Sequence, residues 1–225
     1  DVARKIAHEI KNPLTPIKLS IDRLKNKTNK GMNISETEVI HTMDTINRQV
    51  DDIKNLVDEF SNFARMPAPN MKKYNIKDIV VNAISLFDLK SNKIVIDLDK
   101  KSLDRSIKCD ESQINRVLNN LIINSIHSIE SKYNNESGGT IYIDASLKDN
   151  YLKIKIFDNG QGLSHKEEDL LKPYFSTKEK NIGTGLGLSI VEKIISEHGG
   201  NFHIYNLEDK SGACSEFTLR LFNDW

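Results

Sequence analysis

The first segment with side chains suited to chemistry is His8-Glu9-Ile10-Lys11-Asn12-Pro13. At about 100° per residue, a helix places His8 opposite the side that carries Ile6 and Ile10, so we expect its imidazole to be exposed. An accessible imidazole that is largely neutral at pH 7, with the Glu9 carboxylate nearby to accept its proton, meets the needs of a nitrogen nucleophile. A solvated histidine without a function fits this segment equally well, and both interpretations stay open.

Two glycine-rich segments follow in the second half of the chain. Asp158-Asn159-Gly160-Gln161-Gly162 comes after an apolar strand pattern, where a carboxylate can accept an amino hydrogen from a base while glycines let the backbone pass close. Gly183-Thr184-Gly185-Leu186-Gly187-Leu188 precedes a helix pattern, and backbone N–H groups at such a helix start can approach phosphate oxygens. It is not a P-loop, because no Gly-Lys-Ser/Thr follows. A plain turn and a loop that only caps a helix remain the alternatives.

The stretch 113–128 places Asn120, Asn124 and His127 at i, i+4 and i+7 on one face of a predicted helix. Amide oxygens suit a hydrated Mg²⁺ that also binds phosphates, whereas a polar face turned to solvent is the alternative. Residues 172–182, between the glycine segments, have the composition of a mobile lid. Lys178 of that stretch can reach a phosphate or be one more surface lysine.

Residues 2–65 must position the histidine, and their apolar spacing predicts two helices joined near Gly31. Pro13 should kink the first helix, and Ser35-Glu36-Thr37-Glu38 is a capping box for the second. The second helix has a coiled-coil seam of Val39, Met43, Ile46, Val50, Ile53, Val57 and Phe60, widened by Ile40, Leu56 and Phe63. One partner helix cannot cover this stripe, so we predict a homodimeric four-helix bundle. Packing of the hairpin on its own chain is the alternative.

Met66-Pro67-Ala68-Pro69-Asn70 ends the second helix, because proline disfavours a helical residue before it, and it resembles a hinge. Beyond it, the pattern predicts helices over 76–87, 111–131 and 185–198, and strands over 93–98, 140–147, 152–157, 201–207 and 214–221. Helices against a largely antiparallel set of strands indicate an α/β two-layer sandwich. The predicted divisions are a hairpin over 1–66, a linker over 67–75 and a second domain over 76–225.

Composition excludes several classes of protein. Thirty-two basic residues balance thirty-two acidic ones, which gives no reason to expect nucleic acid or an anionic membrane as the partner. The chain has two cysteines, Cys109 and Cys214, and their spacing matches no metal site. So few cysteines exclude a disulfide scaffold, and they indicate a protein of the reducing cytosol. No apolar run approaches the roughly 20 residues of a membrane span, and no signal peptide is visible, so a cytoplasmic fragment is expected. The start at Asp1 predicts a piece of a longer protein.

The order of these segments resembles the catalytic core of bacterial sensor histidine kinases. An HExxNP segment on a hairpin is followed by an Asn-bearing helix, DxGxG, an FSTK segment and GTGLGL. Three segments are most similar to the nitrogen-regulation, NtrY-like branch of this family: AHEIKNPLTPIKLS, KPYFSTK and GTGLGLSIVEKI. The resemblance implies an α+β fold, in which a dimeric four-helix bundle of hairpins precedes a two-layer ATP-binding domain of the Hsp90, MutL and gyrase type.

The same resemblance implies roles for individual residues. His8 is the phosphoacceptor, Glu9 the base that accepts its proton, and Asn12 positions water for dephosphorylation of the partner. Asn120 and Asn124 hold Mg²⁺ and phosphate. Further residues implied to bind the nucleotide, with Asp158 reading the adenine amino group, are Asp158, Gly160, Gly162, Lys178, Gly183, Gly185 and Gly187.

The implied activity is ATP-dependent autophosphorylation of His8, followed by phosphoryl transfer to an Asp of a response regulator and by phosphatase activity on that regulator. ATP and Mg²⁺ are the expected cofactors, and a second copy of the chain and a receiver domain are the expected partners. The full-length protein is expected at the cytoplasmic side of the inner membrane. An Hsp90/MutL-type ATPase without a phosphohistidine and a nucleotide-binding dimeric scaffold stay open as alternatives.

Overall fold

The computed structural model describes residues 2–64, 66–87, 94–134, 136–173, 175, 185–208 and 211–221, without the side chains of 2–6, 8–9, 55, 59 and 62–64. Two compact units divide the chain: the first contains Asp1–Met66, and the second contains Pro67–Thr177 and Gly187–Trp225. In the described part of the chain, no helix combines the length and the apolar character that a membrane span requires.

The first unit contains the predicted pair of helices. Helix α1 covers Val2–Asn29 and continues through Pro13 and Pro16, and helix α2 covers Glu36–Ala64. Gly31 lies in the turn between them with a φ of +64°, a conformation that glycine adopts without the steric cost other residues meet. The two helices contact each other and form a hairpin.

Helix α2 has two parallel lines of residues at seven-residue spacing. Thr42, Gln49 and Leu56 are buried, whereas Met43, Val50 and Val57 are 58%, 50% and 45% exposed. The second line belongs to the seam predicted from the sequence. Its exposure in a single chain agrees with a stripe that is wider than one partner helix covers.

The start of α2 corrects one detail of the predicted capping box. The N–H of Glu38 donates to Ser35 Oγ at 3.2 Å, as the motif requires. The Glu38 carboxylate, however, accepts from Lys27 Nζ at 2.6 and 2.7 Å and lies 3.5 Å from Arg23 Nε, both on α1. This carboxylate therefore joins the two helices of the hairpin, because opposite charges at the end of α1 attract it more strongly than a neutral backbone N–H.

Within its described residues, the second unit contains seven strands and five helices. The strands are β1 Lys72–Asn75, β2 Ile94–Leu98, β3 Ser106–Cys109, β4 Gly139–Lys148, β5 Tyr151–Asp158, β6 Phe202–Asn206 and β7 Ala213–Arg220. The helices are α3 Ile76–Ser85, α4 Lys100–Leu103, α5 Glu111–Tyr133, α6 Glu167–Leu170 and α7 Gly187–Glu197. Strand β1 occupies the last four residues of the predicted linker, and it pairs antiparallel with β3.

The main sheet has the strand order β2-β4-β5-β7-β6, with β2 and β4 parallel and the other pairs antiparallel. Along β5 the residues alternate between half-buried and buried, which is the period of a strand with one face on the core. Helix α5 packs on β4 and β5, and α7 packs on β6 and β7. The predicted α/β two-layer sandwich is confirmed, with one parallel pair in a largely antiparallel sheet.

Candidate functional site

Asp158 is the last residue of β5, and it is only 7% exposed. Its Oδ1 accepts from the N–H of Gly160 at 2.9 Å and from Ser128 Oγ at 3.2 Å. Its Oδ2 accepts from Ser125 Oγ at 3.4 Å, and the backbone N–H of Ala213 also donates to the carboxylate. Burial raises the pKa of Asp158 above its ordinary value, and these hydrogen bonds oppose that rise without cancelling it.

The turn after Asp158 lies directly against helix α5. A Cβ on Gly160 would stand 2.5 Å from the carbonyl carbon of Ser128, so only glycine fits there. The N–H of Gln161 donates to the carbonyl of Ser128 at 3.1 Å, and Ser211 Oγ donates to the carbonyl of Gly160 at 2.7 Å. The glycine that the sequence pointed to is therefore required by helix-to-loop packing, and the contact aims the Asp158 carboxylate at α5.

The second glycine of this segment meets strand β6. Gly162 has a φ of +79°, and a Cβ there would lie 2.7 Å from Asn206 Oδ1. Asn206 holds the next residue at both ends: its Oδ1 accepts the N–H of Leu163 at 2.6 Å, and its Nδ2 donates to the Leu163 carbonyl at 2.9 Å. The backbone of the segment is thus tied to the sheet edge on one side and to α5 on the other.

Helix α5 places Asn120 and Asn124 one turn apart, and both are half-buried. Asn120 Nδ2 donates to the carbonyl of Arg116 at 3.0 Å, and its Oδ1 is the atom of this side chain that can accept. A Cβ on Gly187, the first residue of α7, would lie 3.1 Å from that Oδ1. The structure therefore brings Asn120 beside the start of α7, where helix N–H groups favour an anion. His127 is also half-buried on α5.

The start of α5 is fixed by its N-cap residue. Asp110 Oδ1 accepts from the N–H groups of Ser112 and Gln113 at 3.0 and 3.2 Å. Asp110 Oδ2 accepts the N–H of Asn70 at 2.9 Å, and Gln113 Nε2 donates to the carbonyl of Pro67 at 3.0 Å. Helix α5 is therefore bonded directly to the segment that the sequence predicted as a hinge.

Several predicted site residues are described only in part or not at all. Lys178 and Gly183 lie outside the described residues, as does most of the predicted lid over 172–182. His8 and Glu9 lie on α1, but their side chains are outside the description, whereas Asn12 is exposed on the same helix. Gly185 has a φ of +68° ahead of α7.

Sequence reasoning missed three contributors to the site, namely Ser125, Ser128 and Asn206. The available signal was a pair of serines on the apolar side of the Asn-bearing helix, where a hydroxyl needs a partner. The described part of the chain holds no cluster of three or more His, Cys, Asp or Glu side chains that could bind a metal ion.

Two family descriptions match this chain. Residues 109–223 match "Histidine kinase-, DNA gyrase B-, and HSP90-like ATPase", and residues 1–69 match "His Kinase A (phospho-acceptor) domain". The first match contains α5, the Asp158 segment and α7, and the second contains the hairpin.

Individual relatives agree with these matches. The chain is 40% identical over 98% of its length to the nitrogen regulation protein NtrY of Azorhizobium caulinodans, of which it covers 28%. It is 37% identical over 93% of its length to an NtrY-like sensor histidine kinase of Rickettsia typhi, of which it covers 34%. The chain thus spans about a third or less of these relatives.

A solved structure shares the fold over nearly the whole chain. It is the crystal structure of histidine kinase ThkA in complex with response regulator protein TrrA, with a TM-score of 0.76 and 24% identity, covering 98% of this chain and 61% of that one.

Proposed function

Because the chain belongs to the histidine kinase-, DNA gyrase B- and HSP90-like ATPase family and carries a His Kinase A (phospho-acceptor) domain, we propose that it phosphorylates His8 from ATP and passes the phosphoryl group to a response regulator. The resemblance to sensor histidine kinases and the α+β fold class are confirmed by these matches. The observation that carries the proposal is the buried Asp158 carboxylate bonded to Ser128 of α5, the helix that also carries Asn120 and Asn124, in one chain with a phospho-acceptor domain.

Asp158 is proposed to accept the amino hydrogen of adenine. Its Oδ1 already accepts two hydrogen bonds, whereas the bond from Ser125 to Oδ2 is long at 3.4 Å. A carboxylate oxygen with spare acceptor capacity suits an amino group, and burial strengthens such a bond. Gly160 and Gly162 would form the wall beside the base, because the backbone there comes closer than any side chain would allow.

The phosphates are proposed to lie toward the start of α7. Asn120 Oδ1 is beside Gly187 there, and amide oxygens are ligands that Mg²⁺ accepts, so Asn120 and Asn124 fit this ion. When bound, Mg²⁺ would offset the negative charge of the phosphates. Gly183, Gly185 and Gly187 are proposed to approach the phosphates with their backbone N–H groups, and Lys178 to assist.

The proposed transfer makes a bond from an imidazole nitrogen of His8 to the γ-phosphorus. The bond from that phosphorus to the β–γ bridging oxygen breaks, ADP leaves, and the imidazole proton goes to the Glu9 carboxylate. Asn12, exposed on α1, is proposed to position the water that removes the phosphoryl group from the regulator.

The proposed partners are a second copy of the chain and a receiver domain. The exposed line of Met43, Val50 and Val57 on α2 supports a four-helix bundle of two hairpins. ThkA was crystallised with a response regulator, and this class of partner is proposed here. The name of the relative NtrY supports a role in nitrogen regulation. A location of the full-length protein at the cytoplasmic side of the inner membrane stays a proposal.

The experiment that tests the proposal is incubation of the chain with γ-labelled ATP and Mg²⁺. We expect label that is acid-labile and alkali-stable, and that is lost in His8→Gln. The matched control is His41→Gln, since His41 is exposed on the other helix of the same hairpin and should not carry the label.

The outcomes separate the competing functions. Label that survives in His8→Gln would show that another residue is the phosphoacceptor. ATP hydrolysis without label would indicate an Hsp90/MutL-type ATPase, and ATP binding without turnover would indicate a nucleotide-binding scaffold. Transfer of label from His8 to an added receiver domain would support the second half of the proposal.

A further inference from the structure

Two serines of α5 donate to Asp158, which lies 30 or more residues away in the chain. Ser128 Oγ donates to Oδ1 at 3.2 Å, and Ser125 Oγ donates to Oδ2 at 3.4 Å. The two serines are three residues apart, so they lie on the same side of the helix. Together they place one hydroxyl on each oxygen of the same carboxylate.

These contacts are not the usual ones for a serine inside a helix. A helical serine commonly bonds to the carbonyl four residues before it, and Ser131 does so, donating to the His127 carbonyl at 2.8 Å. The hydroxyls of Ser125 and Ser128 could also donate to the carbonyl four residues before each of them, but in the structure they donate to Asp158. Ser125 is buried with the carboxylate, so its hydroxyl has no solvent to bond to instead.

We propose that Ser125 and Ser128 are positioning residues that hold Asp158 ionised and oriented, and that they thereby make the site selective for adenine over guanine nucleotides. This inference rests on the proposed function, because it requires Asp158 to face the base. Neither serine needs to touch the nucleotide, since both act through the carboxylate.

The selectivity follows from hydrogen-bond chemistry. An ionised carboxylate only accepts hydrogen bonds, so it pairs with the amino group of adenine and repels the carbonyl oxygen that guanine has at the same ring position. A protonated carboxyl can donate to that oxygen. Burial already raises the pKa of Asp158, and removing the serine donors would raise it further.

The test measures binding of ADP and of GDP, with Mg²⁺, by titration calorimetry between pH 5.5 and 8.5. ADP has the same base as ATP but cannot phosphorylate the protein, which keeps binding separate from turnover. The variants are Ser125→Ala, Ser128→Ala, the double variant and Ser128→Thr. The control is Ser131→Ala, whose hydroxyl lies on the same helix and donates to the carbonyl of His127.

We expect the double variant to bind ADP more weakly than the unaltered chain at the acidic end of this range, because a higher pKa of Asp158 leaves less of the carboxylate ionised. This loss of ADP affinity should shrink toward the alkaline end of the range, where more of the carboxylate is ionised, and the preference for ADP over GDP should narrow toward the acidic end. Ser128→Thr keeps a hydroxyl and should retain most of the affinity, and Ser131→Ala should match the unaltered chain.

Two results would overturn the inference while leaving the proposed function intact. One is ADP binding by the variants with an unchanged pH profile; the other is an equal loss of ADP and GDP binding at every pH, which a structural role would give. Failure of the unaltered chain to bind ADP would instead contradict the proposed function itself. If the double variant does not fold, the two single variants are tested in the same way. We expect their ADP affinities to change in the same direction, but by less.

Discussion

The imidazole of His198 accepts the backbone N–H of Asp110 at Nε2 over 3.0 Å, while its Nδ1 donates to the carbonyl of Ile194 at 2.8 Å. The ring is buried, and these two contacts place its hydrogen on Nδ1, because Nε2 needs a free lone pair to accept. His198 follows α7 and Asp110 precedes α5, so one side chain joins the two helices that frame the proposed phosphate site. Asp110 in turn holds Asn70, which links this junction to the predicted hinge.

Replacing His198 by phenylalanine keeps most of the ring volume but removes both hydrogen bonds. The half-buried N–H of Asp110 and the Ile194 carbonyl then lose their partner, and we expect the free energy of unfolding of the second unit to fall by about 2 kcal/mol. Urea denaturation followed by circular dichroism measures this change. His41→Phe is the control, because His41 is exposed on α2. A change of similar size in both variants would show that the junction contributes nothing specific.

Asp158→Asn should stabilise the protein without nucleotide while it abolishes tight ADP binding. The pKa of Asp158 is raised by burial, so the carboxyl favours the folded state fully only below its ordinary pKa of 3.8, and this contribution is lost as the pH rises through the folded-state value. At pH 7 the ionised group therefore costs stability, and the neutral amide removes that cost.

We expect thermal scans to show a midpoint a few degrees higher for Asp158→Asn at pH 7, and no difference near pH 3. ADP affinity should fall at least about tenfold, since the amide is a weaker acceptor than a carboxylate. A midpoint that falls at pH 7 would mean that the hydrogen bonds to the carboxylate outweigh the cost of its burial.

Both cysteines should resist modification in the folded protein. Burial raises the pKa of the Cys109 thiol to about 12 and that of Cys214 to about 11, and both side chains are fully buried. At pH 8 only about one Cys214 in a thousand would be a thiolate, which is the reactive form. A colourimetric thiol reagent should detect almost no thiol before denaturant is added and two per chain afterwards. Rapid reaction of one thiol in the native protein would contradict the burial seen here.

Glu38→Gln should weaken the hairpin in a pH-dependent way. The hydrogen bond and charge of Lys27 lower the pKa of Glu38, so the pair stabilises the fold above the ordinary pKa of 4.5, and this contribution is lost as the pH falls through the lowered value. We expect a small drop in the thermal midpoint at pH 7 that shrinks in high salt and that is lost as the pH falls through the lowered pKa of Glu38. Glu36→Gln, two residues earlier and exposed, provides the comparison at equal charge change.

The sequence alone determined the features that repeat locally. The seven-residue spacing of Met43, Val50 and Val57 identified α2, because the period of a helix is visible in the spacing of apolar residues along a short stretch of sequence. The Asp158 turn and the asparagines of α5 were also found from the sequence, because each motif is a short run of neighbouring residues. The strands of the main sheet were long enough for their alternation to be visible.

The tertiary structure decided what depends on residues far apart in the chain. Strands β1 and β3 have four residues each, too few for a pattern, and form because Lys72 to Asn75 pair with Cys109 to Ser106. The bond of Glu38 to Lys27 replaced half of a local capping motif, since the hairpin brings a charge 11 residues away within reach. In the same way, Ser125 and Ser128 looked like ordinary helix residues until folding placed the Asp158 carboxylate against them.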